Sequence, residues 1–115
     1  MAEIFDKAGA LERVGDDLVL LKDLIRLCHE QCDSRMMVLM HDVRHKDLPA
    51  VKRHAHLLKG SLGNVGATQA YNAALSLEQA AVAEEVGRVE PLAEALIEAI
   101  NRYFEVVASA LGEGQ

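Results

Sequence analysis

The sequence predicts an all-α protein: an antiparallel four-helix bundle with an additional short N-terminal helix. Three observations carry that prediction. Only four of the 115 residues are aromatic (Phe5, Tyr71, Tyr103 and Phe104), although half of the chain is hydrophobic. The core must therefore be built from Leu, Ala, Val, Ile and Met, which suits packed helices better than a sheet. Apolar residues recur at three- and four-residue steps, and Gly and Pro fall between those stretches as punctuation. One domain spanning residues 1–115 is expected, with a core large enough to need neither disulfide nor metal.

The elements follow in order. Asp6 to Val14 forms the short first helix, broken at Gly15. Asp16 is the expected N-cap of a long second helix over residues 17–45, with Leu18, Leu21, Ile25, Cys28 and Cys32 as its buried stripe. That stripe continues through Met36, Leu39, Met40 and Val43, with Asp33-Ser34 as the place for a bend. The third helix runs from Leu48 to Asn64, capped by Asp47, with Pro49 tolerated in the first turn. Its apolar ladder is Leu48, Val51, Ala55, Leu58, Leu62 and Val65. A fourth, alanine-rich helix from Ala67 to Glu85 ends at Gly87. The last, from Glu90 to Leu111, starts with Pro91 near its first position and buries Leu92, Leu96, Ile100, Val107 and either Tyr103 or Phe104. The tail, residues 112–115, is expected to fray.

Charge narrows the function. Twelve basic residues against 18 acidic ones give a net charge of −6, which argues against nucleic acid as the main partner. No apolar run approaches the roughly 20 residues of a membrane span, and Met1-Ala2-Glu3-Ile4 does not read as a secretory leader. A cytoplasmic protein, binding neither membrane nor nucleic acid, is expected. Cys28 and Cys32 would remain thiols there.

The third helix carries the densest cluster of chemically capable residues. At about 100° per residue, His56 lies roughly 130° from the centre of the apolar ladder and should face solvent. Lys52 and Gly60 lie one turn away on either side, with Lys59 three residues on and Gly63 seven residues on. Gly in a helix interior costs about 1 kcal/mol relative to Ala, so Gly60 and Gly63 call for another reason; together they would flatten the surface so that a partner can reach the ring. Lys52, Arg53 and Lys59 form a basic spot on an acidic molecule. One exposed imidazole nitrogen among cations suits an anionic group carried on that nitrogen. Phosphoryl transfer depends mainly on positioning and charge stabilisation, so a small site suffices if the partner brings the rest.

The run Ala55-His56-Leu57-Leu58-Lys59-Gly60-Ser61, followed by Gly66-Ala67, resembles the histidine-containing phosphotransfer (HPt) domains of multistep phosphorelays. The likeness extends upstream to Gly15-Asp16 and Leu20-Leu21 and downstream to Leu77-Glu78. It implies that His56 is phosphorylated on its solvent-facing nitrogen and that Lys59 steadies the phosphoryl group. By the same resemblance, Gly60 admits the partner, Ser61 supports the local helix and Glu78 hydrogen-bonds the other ring nitrogen. Lys52, Arg53 and Gly63 complete the expected binding surface. The implied partners are receiver domains, one on a hybrid sensor histidine kinase and one on a response regulator. The implied form is a monomer without a cofactor of its own, magnesium being held by the receiver. No Gly-rich nucleotide loop is present, so the resemblance implies a carrier and not an ATP-dependent kinase. The family usually has Phe near the position of Cys28. The competing reading is a phosphorylation-independent adaptor or inhibitor that binds a sensor kinase through the same face.

The other polar residues read more plainly. His54 is a boundary residue, and His29, His41 and His45 lie on the polar face of the long helix. Cys28 and Cys32 continue the buried stripe, and a zinc site would need further ligands. Met36, Met37 and Met40 have core spacing. Glu84 and Glu85 form a solvated face.

Overall fold

The computed structural model describes residues 3–111; the expected fraying of the tail lies outside them. Its five helices are α1 (Lys7–Arg13), α2 (Leu18–Arg44), α3 (Leu48–Asn64), α4 (Thr68–Val82) and α5 (Val86–Leu111), with no strand among the described residues. The last four form the antiparallel bundle: α2 packs on α3 and α5, and α4 closes the ring between them.

Local chemistry sets the starts. The Asp6, Asp17 and Asp47 carboxylates accept from the backbone N–H groups of Gly9, Leu20 and Ala50 and so cap α1, α2 and α3. The cap of α2 is thus Asp17, one residue beyond the expected Asp16. Gly15 and Asp16 both take φ of 63° to reverse the chain, so Asp16 belongs to the turn.

The ends share one device. After α1, α2, α3 and α4 the chain steps into the left-handed region at Gly15, Lys46, Gly66 and Glu84, respectively. Each time the following N–H reaches back to a carbonyl five residues earlier: Asp16 to Leu11, Asp47 to Asp42, Ala67 to Leu62 and Glu85 to Ala80. This is a Schellman closure, ordinarily served by glycine. Because Glu84 serves it here, α4 stops at Val82 and Gly87 is not its terminator.

Gly87 instead lies in the first turn of α5, which begins four residues before the expected Glu90 and contains Pro91. The extra turn buries Val89, only 3% exposed. Burying a Val stabilises by about 1.5–3 kcal/mol, comparable to the roughly 3 kcal/mol cost of an interior Pro. Gly87 and Pro91 are exposed, so the carbonyl that Pro91 cannot bond is open to water.

The core follows the predicted stripes from Leu21 through Val107. Tyr103, and not Phe104, is the fully buried aromatic; its hydroxyl donates to the Val65 carbonyl at 2.6 Å, and Phe5 meets its ring edge-on. One stripe residue and one methionine given core spacing depart from expectation. Leu18 is exposed at the start of α2, and Met37 is 75% exposed, while Met36 and Met40 pack against the core. Met37 lies about 100° from Met36, enough to turn it outward. At Asp33-Ser34, the expected place for a bend, α2 continues as helix. The unbridged thiols of Cys28 and Cys32 are buried with their sulfurs 3.8 Å apart. Beside Cys28, a groove of about 340 Å³ opens between α2 and α3, lined by Leu24, Gln31 and Ser61.

The N-terminal segment anchors the α3–α4 turn. Asp6 N–H donates to the Gly66 carbonyl at 2.8 Å, and Gln69 N–H to that of Glu3 at 3.1 Å. A Cβ on Gly66 would stand 2.6 Å from the Asp6 carbonyl oxygen. Together with its φ of 74°, this makes glycine obligatory there.

Candidate functional site

The ladder of α3 turns Val51, Ala55, Leu58 and Leu62 into the core and leaves His56 outward, its side chain 63% exposed. One carboxylate on α4 organises the site. The His56 Nδ1–H donates to Glu78 Oε2 at 2.8 Å, and Lys59 Nζ donates to Glu78 Oε1 at 2.7 Å. The residues expected to converge from two helices therefore do so: His56 and Lys59 from α3, Glu78 from α4.

The charges reinforce one another. The Lys59 hydrogen bond, chiefly, holds the Glu78 carboxyl below the usual carboxylate range; partial burial opposes this, and the His56 bond adds to it. The same bond to Glu78 raises the Lys59 ammonium above its ordinary value. An ionised Glu78 can only accept, so Nδ1 carries the hydrogen and the neutral ring's lone pair lies on Nε2, at the exposed side. An ammonium has three donors, and Lys59 spends one on Glu78.

Around this triad Lys52 and Arg53 are exposed and form no ion pair among the described residues. The two glycines divide. Nothing lies within 4 Å of a Cβ placed on Gly60, whereas one on Gly63 would stand 3.1 Å from the Tyr71 ring. Gly63 thus has a reason within the fold, the approach of α4. Gly60 has no such intramolecular reason. Both line a groove of about 540 Å³ that also touches Arg13, Asn64, Thr68 and Tyr71.

Two cross-helix contacts escaped the sequence. Arg35 on α2 donates to the Ser61 hydroxyl at 2.9 Å, so Ser61 ties α3 to α2. His54, expected at the boundary, donates from Nδ1 to the nearly buried Asp42 at 2.6 Å. Arg35–Ser61 and Asp42–His54 depend on how two antiparallel helices are registered. Helical periodicity orients each helix but cannot align the two.

Against this geometry, the family model for the Hpt domain matches residues 10–110. The chain belongs to the Hpt domain family. Neither the curated proteins nor the solved structures return a match to it. Hpt domains are histidine phosphotransfer carriers of two-component phosphorelays, not kinases, and interact there with receiver domains and kinases. Among the described residues of this Hpt domain, no helix is long and apolar enough to cross a membrane. No group of three or more His, Cys, Asp or Glu among them forms a metal cluster.

Proposed function

We propose that His56 is the phosphoryl acceptor, taking the group from an aspartyl phosphate on the receiver domain of a hybrid sensor histidine kinase. It then passes the group to the receiver of a response regulator. The observation that carries this reading is the His56–Glu78–Lys59 triad, which fixes Nδ1 as the donor and leaves Nε2 outward. Nε2 attacks phosphorus, the N–P bond forms as the Asp–O–P bond breaks, and the aspartate leaves as a carboxylate. The ring becomes a phosphoimidazolium whose retained Nδ1–H faces the anionic Glu78. Onward transfer is the reverse exchange on a second receiver.

Each remaining part has a role in that cycle. Lys59 turns a free donor to the phosphoryl oxygens. Lys52 and Arg53 attract the acidic receiver site, and bare Gly60 lets its backbone approach Nε2. Magnesium enters with the receiver, and the domain works where receivers do, in the cytoplasm. Incubation with a phosphorylated receiver and magnesium should place acid-labile, base-stable phosphate on the wild-type protein and none on His56→Ala. Equal labelling of both, or none on either, overturns the proposal; receiver binding indifferent to the phosphoryl group, with no transfer, is the adaptor outcome.

A further inference from the structure

The outward face of α2 presents a second set of nucleophilic nitrogens, distinct from the triad. His41 and His45, one turn apart and both exposed, stack with ring centroids 4.1 Å apart and planes inclined by 34°. The His45 ring donates from Nδ1 to the His41 carbonyl at 2.8 Å. A carbonyl only accepts, so this bond assigns the hydrogen to Nδ1 and leaves Nε2 with its lone pair. A backbone carbonyl holding the far nitrogen is the usual support of a metal-binding imidazole. Residues four apart share a helix face, so both rings reach the same side of α2; two nitrogens bound to one tetrahedral zinc at 2.0–2.1 Å stand about 3.3 Å apart, and the rings unstack to hold the ion between them.

One chain supplies half of such a site. Zinc takes four ligands, and no third His, Cys, Asp or Glu joins the pair among the described residues. Asp42, the nearest acidic neighbour in sequence, turns inward to His54. Arg44 and Lys46 flank His45 in sequence and cannot serve as acceptors. Two exposed apolar residues adjoin the pair. Met37 and Val38, 75% and 44% exposed, lie one turn before His41, and all four residues fall within an arc of about 100°. That arc opposes the core-facing Leu39, and its Met37 edge borders a groove shared with Ile97 of α5. Exposed apolar side chains beside an incomplete ligand set mark a contact surface.

We propose that His41 and His45 form a half-site for a zinc-class divalent ion, completed by the same pair from a second copy of this chain. Met37 and Val38 of the two copies pack beside the metal. A two-fold contact brings like patches together, and the bridging cation offsets the repulsion between two chains that each carry −6. Without metal the chain is a monomer.

Sedimentation velocity and calorimetry with added zinc chloride test this at neutral pH. The expected result is a doubling of mass at half an equivalent of zinc per chain, reversed by chelator. His41→Ala and His45→Ala should each abolish it, and both positions are exposed, so circular dichroism should show intact helices. Met37→Ser should weaken the dimer several-fold while leaving both ligands. His56→Gln should dimerise as wild type does, separating this site from the relay histidine. Zinc bound one per chain without a mass change, a dimer that survives loss of either ligand, or no zinc binding would each overturn the proposal.

Discussion

Glu78 uses each oxygen for a different partner, and the two contacts have different consequences. The bond to His56 sets the tautomer; the bond to Lys59 keeps the carboxylate ionised. Glu78→Ala should therefore slow phosphoryl transfer by about 10–100-fold, since a hydrogen bond to a charged group contributes roughly 1.5–3 kcal/mol. Glu78→Gln retains an acceptor for Nδ1–H and should lose much less, as single-turnover rates will show. A pH dependence follows from the shifts. The folded-state value of Glu78 lies below its ordinary one, so its stabilising contribution is present above that ordinary value and is lost as pH falls through the folded one. Lys59 is raised, so its contribution is present below its ordinary value and is lost as pH rises through the folded one. Carboxylate NMR should find Glu78 titrating below the usual range in wild type and moving upward in Lys59→Met; an unchanged midpoint would remove Lys59 as the cause.

At the scale of the elements, the connections determine where helices stop, and three of them work against backbone preference. Asp16, Lys46 and Glu84 occupy left-handed positions that disfavour an L-residue with a side chain by about 1–2 kcal/mol. Glu84→Gly should raise stability by about 0.5–1 kcal/mol in urea denaturation, part of the relief being offset by the looser unfolded chain. Gly66→Ala should destabilise by more than that, because its Cβ meets the Asp6 carbonyl and its φ is positive. These ends also show what sequence reading can reach. The bounds of α3 were legible to the residue, because an Asp cap, an early Pro and a regular apolar ladder all agree there. The end of α4 and the start of α5 were not, because Gly87 and Pro91 carry strong local signals that the burial of Val89 and the closure at Glu84 override.

Across the whole molecule, a net charge of −6 is combined with a face on which Lys52 and Arg53 stand unpaired among the described residues. The histidine was legible because one helix determines which way it points and because the surrounding motif is contiguous. Glu78 came only through family resemblance, and Arg35 and Asp42 not at all, since each is brought in by packing between helices distant in sequence. If the basic face steers an acidic receiver, Lys52→Glu with Arg53→Glu should raise the receiver concentration needed for half-maximal transfer several-fold. The salt dependence of transfer should flatten with it. The rate at saturating receiver should change little.

The central claim is that Glu78 holds Nδ1 of His56 so that the phosphoryl group goes to Nε2. Nitrogen–phosphorus coupling in the NMR spectrum of the isotope-labelled, phosphorylated protein reads that bond directly. The account predicts phosphorus on Nε2 of His56 with a protonated Nδ1 bonded to Glu78; phosphorus on Nδ1, or on any other residue, would contradict it.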